Sequence, residues 1–327
     1  MLAGRAERST TPAPRAQPVR PLRDVRIQPD RLASARPFNC SALLRQGRLL
    51  LAYRTVWGWG SRLCIAALDH ATYQPRGPSW HLLLDHPLCA AGQEDPRLFV
   101  HGGQLHLAFI GARATGPAAV CCQQMFARLT DDLAVAEVWH PAYAGSQAWE
   151  KNWQPFSHGG ALYAVYGMCP WQVLHLHAGC AVALPAAHLA LPWSAGLPRG
   201  GAPPVLVGDE YYCWFHGTDK SDPGLTRYSV GVCTFAARPP FRPRRCTQYP
   251  VMLPNEAAVP RSPSDPRRRW YASVVFPGGA YLDRGRWVVS YGYHDSQCRL
   301  AVYDAAAIEE RLSPLEGGSG AGVRAGL

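Results

Sequence analysis

One phrase recurs five times along the chain. A short turn containing glycine is followed by apolar residues alternating with others and closing on an aromatic. It reads "LLRQGRLLLAYRT" at 43–55, "LFVHGGQLHLAFIG" at 98–111 and "PFSHGGALYAVYG" at 155–167. It returns as "VLVGDEYYCWFHG" at 205–217 and "AYLDRGRWVVSYGYHD" at 280–295. Alternation of period two on both sides of a tight turn predicts a β-hairpin each time. Further strands are expected at "RLCIAALD", "WQVLHLHA", "YSVGVCTFA" and "CRLAVYD", and helical spacing is confined to "DAAAIEERL" near the end. The units are spaced by roughly 50–75 residues, the size of a propeller blade. The chain is therefore expected to be all-β, a five-bladed β-propeller over residues 37–312 with an axial active-site pocket. A two-sheet sandwich accounts for the strands but not for the fivefold phrase.

The inner strands of a propeller surround one axis, so residues at equivalent strand ends meet although they lie far apart in sequence. That place holds Arg54 in the first unit, Asp95 and Arg97 in the second, Lys151 and Asn152 in the third, His216 in the fourth and Asp295 in the fifth. Singly, each reads as a solvated turn residue. Together they predict a polar pocket in which acids and bases perturb one another.

Composition adds limits. Hydrophobic residues make up 47% and charged residues 17%, so most of the chain should fold. The net charge is +10, mostly from arginine, with clusters in 1–36, in "RPPFRPRRC" and in "SPSDPRRRW". A basic field favours anionic partners. No nucleic-acid-binding signature accompanies it, and none is expected as a partner. The eleven cysteines form no CxxC pair and predict free thiols in a reducing compartment. No apolar run reaches the roughly 20 residues of a membrane span. Residues 1–36 lack a secretory apolar core; they are read as a disordered basic tail or an organelle transit segment, and 313–327 as a second tail. The expected location is cytoplasmic, with an organelle as the alternative. Nucleotide-binding glycine motifs and HExxH are missing, and "HLH" at 175–177 is too little for a metal site, so no metal or cofactor is expected.

The segments "EDPRLF", "EKNWQPF", "FHG" and "FPGGAYLDRGRWVVSYGYHD" resemble the signature segments of glycoside hydrolase family 130, the inverting β-mannoside phosphorylases and some hydrolases. They are also similar to the related glycosyltransferase family 108 β-mannosyltransferases. The resemblance runs through residues 37–305 in order and implies a five-bladed propeller. It implies Asp95 as catalytic acid, Lys151 in the active site, His216 as a phosphate ligand and Asp295 as a sugar ligand. Arg54 and Arg97 are expected in the same basin as ligands of phosphate or of a donor group, with Asn152, Phe276 and Trp153 at the sugar. Trp57, Trp59 and Trp149 are further candidates for stacking on a sugar face or packing between blades.

The residue types suit the chemistry. An inverting enzyme needs an acid on the leaving oxygen and a nucleophile from the opposite face. In a phosphorylase the nucleophile is phosphate, so cations replace the second carboxylate. The expected activity is inverting glycosyl transfer on a β-mannoside or related oligosaccharide, with inorganic phosphate or mannose 1-phosphate as co-substrate. One departure stands out: Met168 and Cys169 occupy the place where the phosphorylases carry a phosphate-gripping arginine. A mannosyltransferase using an activated sugar and a hydrolase of the same fold, with Glu94, Glu150 or Asp219 as base, remain alternatives, as does a propeller that binds carbohydrate or protein without catalysis. Oligomeric state is not legible.

Overall fold

The computed structural model describes residues 17–28, 36–57, 60–116, 119–177, 179–187, 189–260 and 272–315. All five expected hairpins form. Four of their turns place both central residues in the left-handed region, as in Gly102–Gly103 (φ 57° and 74°) and Gly159–Gly160 (56° and 79°). That turn matches the right-handed twist of the flanking strands, and glycine enters it without steric cost.

Each hairpin seeds one sheet. The first sheet runs Phe38–Arg45, Arg48–Trp57, Gly60–Leu68, Trp80–His81, and the second Gly92–His101, Gln104–Gly116, Ala119–Leu129, Val135–Trp139. The third is built on Gln154–His158, Ala161–Met168, Trp171–His177 and Cys180–Ala183, with Ala142–Tyr143 on its outer edge. The fourth centres on Glu210–Asp219 and Thr226–Ala236, flanked by Leu197–Gly200 and Pro243–Thr247. The fifth comprises Val275–Asp283, Arg286–Tyr293 and Gln297–Asp304.

Alternation then decides how the sheets pack. Successive side chains of a strand point to opposite faces. Leu49, Leu51 and Tyr53 face Val288 and Leu300 of the fifth sheet, while Leu50 and Ala52 between them face Leu107 and Phe109 of the second. Likewise Tyr211, Cys213 and Phe215 join Phe156 and Trp171 of the third sheet, and Tyr212 and Trp214 join Trp287 and Tyr303 of the fifth. Phe99 and Phe126 of the second sheet pack with Leu162 and Leu174 of the third. Strands apolar on both faces, stacked sheet on sheet, give a β-propeller arrangement, with one short α-helix among the described residues, Ala305–Glu309.

The ends of the chain correct the expected boundaries. Arg23–Ile27, assigned above to a tail, pairs antiparallel with Gln297–Asp304 and completes the fifth sheet. Asp24 accepts from Arg299 at 3.0 Å and from the Tyr291 hydroxyl at 3.0 Å. The sequence hides this strand because it is short, lies among arginines and prolines, and finds its partner at the far end of the chain. Leu312–Pro314 adds an edge to the fourth sheet beside Pro243–Thr247. Residues 1–16 and 316–327 lie outside the described residues, as do Trp59, the side chain of Trp57 and the basic run at 262–270. In the other basic cluster, Arg244 pairs with Asp209 at 2.6 Å and Arg245 with Glu309 at 2.6 Å. Arg245 thereby holds the fourth sheet to the helix, while Arg244 braces the sheet's own hairpin turn. The eleven cysteines are free thiols. No helix among the described residues is long and apolar enough to cross a membrane.

Candidate active site

All five sheets contribute to one cavity of about 610 Å³ lined by Arg54, Asp95, Lys151, Asn152, His216, Phe276 and Asp295 among others. Seven of the nine expected site residues therefore meet. A second cavity of similar size, lined by Leu82, Leu83 and Asp85, contains none of them.

Local backbone geometry explains how Asp95 reaches the cavity. The ladder between Gly92–His101 and Gln104–Gly116 slips between Glu94 and Arg97, and Asp95 sits there at φ +50°. A β-bulge re-aims side chains out of the pleat. It also frees Pro96 from a ladder bond it could not donate. Asn39 (φ 45°), Asn152 (68°), His294 (50°) and Asp295 (47°) share the same left-handed conformation. Five such non-glycine residues around one cavity represent backbone strain of the sort that collects at functional sites.

The polar contacts form two layers. At the surface of the cavity, Glu94 is held between two cations, with Arg54 Nη2 on Oε1 at 2.8 Å and Lys151 Nζ on Oε2 at 2.8 Å. Asn39 Nδ2 donates to Asp95 Oδ1 at 2.9 Å and reaches Asp295 Oδ1 at 3.4 Å, so one amide bridges the two aspartates. Trp149 lies 5.1 Å from the Lys151 ammonium, ring centroid to Nζ, and remains well exposed.

Beneath this layer sits Arg97, which corrects an expectation. It is fully buried and does not line the cavity. Its Nε donates to Gly201 O at 2.6 Å, Nη1 to Asp95 O at 3.0 Å and Nη2 to Asn152 Oδ1 at 3.2 Å. It ties the second, third and fourth sheets together and fixes Asp95 and Asn152 from behind. Trp153 is likewise displaced from its expected role at the sugar. It is buried against Tyr143 and Tyr166, and its indole N–H donates to Glu150 at 2.9 Å. Trp153 sits in the core just before the Gln154–His158 strand, while Asn152, turned by its left-handed backbone (φ 68°), lines the cavity.

The environments separate the titrations. Burial raises the pKa of Asp95, but Arg54, Lys151 and Arg97, with the Asn39 amide, outweigh it and hold the carboxyl below its usual range. Asp295 is pushed up to about 6 by burial and by the facing Asp95 carboxylate. Burial, then Arg199 and Arg97, depress His216 to about 3. His216 is therefore neutral near pH 7 and offers hydrogen bonding, not charge. Its ring stacks on Tyr228 at 5.5 Å and tilts against Phe276 at 4.9 Å, and its Nδ1 is buried without a partner.

A raised carboxyl pKa has a cost in folding. The native state binds the Asp295 proton more tightly than the unfolded chain, so stability from this group falls as pH rises from about 4 to 6. Asp295→Asn is expected to stabilise the fold above pH 6, by up to about 3 kcal/mol, and to leave it unchanged near pH 3. Thermal unfolding of both proteins across that range checks it.

Among the cavity residues not anticipated are the polar Asn39, Arg199, Arg36 and His294. Asn39 stands at the head of the first inner strand, in a place equivalent to those that yielded the others, and was legible there. Of the three possible hydrolytic bases, Glu94 is clamped by its two cations. Glu150 is buried, accepting from Trp153 and from Gln147 N at 2.6 Å, and Asp219 does not line the cavity. Neither Met168, packed in the core, nor Cys169 lines it.

No family model matches the sequence, and no curated protein matches it. Solved structures do. A structure of glycoside hydrolase family 130, a family of mannoside phosphorylases with hydrolases of β-1,2 mannosidic linkages in Candida mannan, matches at 17% identity. It covers 83% of this chain and 85% of its own, with a TM-score of 0.62. The chain has the fold of the mannoside phosphorylases. The β-1,2-mannobiose phosphorylase of Listeria innocua matches over 90% of this chain and 94% of its own at 15% identity, TM-score 0.63. The mannose phosphorylase of Leishmania mexicana, solved with phosphate, matches over 91% and 92% at 14%, TM-score 0.60.

Proposed function

We propose that the protein is a carbohydrate-active enzyme that transfers a mannosyl group between a β-mannoside and phosphate with inversion. Each sheet is one blade of a five-bladed propeller, and the cavity lies at its axis. The observation that carries this reading is the pair of aspartates joined through Asn39 in a cavity lined by Arg36, Arg54, Lys151 and Arg199. An acid is present, and cations outnumber carboxylates where a hydrolase would need a free second carboxylate.

The general acid comes from the aspartate pair. Below about pH 6 the pair's first proton sits on Asp295, because the cations hold Asp95 ionised. A phosphate bound in the cavity adds negative charge that offsets the cations' field, which raises the Asp95 pKa. Asp95 then takes up a proton and delivers it to the leaving oxygen. Phe276 and Trp149 supply apolar surface for the sugar ring, and Asn152 and Asp295 supply hydrogen bonds. The likeness of fold to mannoside phosphorylases favours mannose over other sugars.

The test is product analysis from a panel of β-mannosides with and without inorganic phosphate. Mannose 1-phosphate formed only with phosphate is the expected result, and the reverse reaction should run from mannose 1-phosphate and an acceptor sugar. Free mannose formed without phosphate would replace this reading with hydrolysis. Silence in both directions would leave a sugar-binding propeller.

A further inference from the structure

Resting on the phosphorylase reading, we propose that Arg199 is the cation that grips the phosphate in this cavity, while Arg54 and Lys151 serve to hold Glu94. Both expected cations are committed, each closing a 2.8 Å ion pair on a separate Glu94 oxygen. A phosphate could bind them only by displacing that carboxylate. Arg97 is buried behind the wall, with all three of its nitrogens donating to protein acceptors. Arg199 lines the cavity, is exposed, and forms no ion pair among the described residues. Its five guanidinium donors suit a tetrahedral oxyanion bidentately.

Position and rigidity support the assignment. Arg199 pairs in register with His216 across the Leu197–Gly200 and Glu210–Asp219 strands. His216 is 1% exposed, lines the cavity, and its Nδ1 has no partner. A buried polar atom without a partner is costly unless a ligand meets it. The backbone carrying Arg199 is pinned: a Cβ on Gly200 would lie 1.9 Å from Asn152 O, and Gly201 O is held by Arg97 at 2.6 Å. A guanidinium on a fixed strand, beside an imidazole with a free nitrogen, makes an anion subsite of one charge and one neutral hydrogen-bonding group. It stands in for the arginine that Met168 and Cys169 do not supply. Arg36, the other lining cation without an ion pair among the described residues, precedes the Phe38–Arg45 strand with no ladder to fix it.

The experiment titrates inorganic phosphate into the full chain by calorimetry, for the native protein, Arg199→Gln, Arg199→Lys and Arg36→Gln, with mannose as a neutral control. Arg199→Gln is expected to weaken phosphate binding at least tenfold and leave mannose affinity within twofold. Arg199→Lys should recover part of the loss, and Arg36→Gln should cost under threefold. In turnover, Arg199→Gln should raise KM for phosphate more than it lowers kcat. Unchanged phosphate affinity in Arg199→Gln would overturn the inference, as would an equal loss in Arg36→Gln, which would mean a general basic field. If the native protein turns over β-mannosides with phosphate and Arg199→Gln matches it, only this inference fails. If the native protein binds neither phosphate nor mannose, the functional reading fails with it.

Discussion

For the phosphorylase proposed above, Asp95→Asn should lower β-mannoside turnover by about 10³-fold, within the range of a lost general acid, and leave sugar binding in place. Asparagine keeps the shape, and its carbonyl can still accept from Asn39, so the cavity should persist while its titratable group is lost. The fall should appear equally in kcat and kcat/KM, because proton transfer belongs to the transition state. The variant should also be less stable near pH 7. The folded pKa of Asp95 is depressed, so its contribution is present above the unfolded value of about 3.8 and is lost as pH falls through the folded one. The gap between the two unfolding temperatures should therefore close below pH 4. Steady-state kinetics with phosphate and mannoside, beside unfolding at pH 7 and pH 3, read both effects. Turnover within tenfold of the native enzyme would take the acid role from Asp95 and give it to Asp295, with Asp295→Asn as the decisive partner.

Much of this architecture was legible because its signals are local. A Gly-Gly turn between alternating strands declares its hairpin within about a dozen residues, and all five hairpins appear where the pattern puts them. Equivalent places in the repeats also brought Arg54, Asp95, Lys151, His216 and Asp295 into one cavity. What stayed hidden depends on long-range pairing. Arg23–Ile27 is a strand only because Gln297–Asp304 lies beside it. The commitment of Arg54 and Lys151 to Glu94 depends on three segments converging, and so does the freedom of Arg199. Trp153 was misplaced for a different reason: the motif supplied it, and the left-handed turn at Asn152 that parts the two side chains is not written in the hydrophobic pattern.

The two arginines that flank this ambiguity should behave in opposite ways, and Arg97 carries the larger effect on stability. Arg97→Met keeps the length and apolar stem but removes every donor. Gly201 O, Asp95 O and Asn152 Oδ1 lose their partners, and ionised Asp95 loses one of three cations. Breaking such a buried arrangement from one side costs about 3–5 kcal/mol. For a domain of this size that lowers Tm by on the order of 10 °C. Arg97→Lys, with the charge retained but the planar fork lost, should fall between the two. Activity should fall as well, since the strained backbone at Asp95 and Asn152 would lose the contact that fixes it. Arg199→Gln, at an exposed side chain with no ion pair among the described residues, should stay within about 0.5 kcal/mol of the native protein. Calorimetric unfolding of these variants tests the division: one arginine stapling three sheets behind the wall, the other facing the cavity. Equal Tm values for Arg97→Met and the native protein would show that the three acceptors find other donors and that the staple is dispensable.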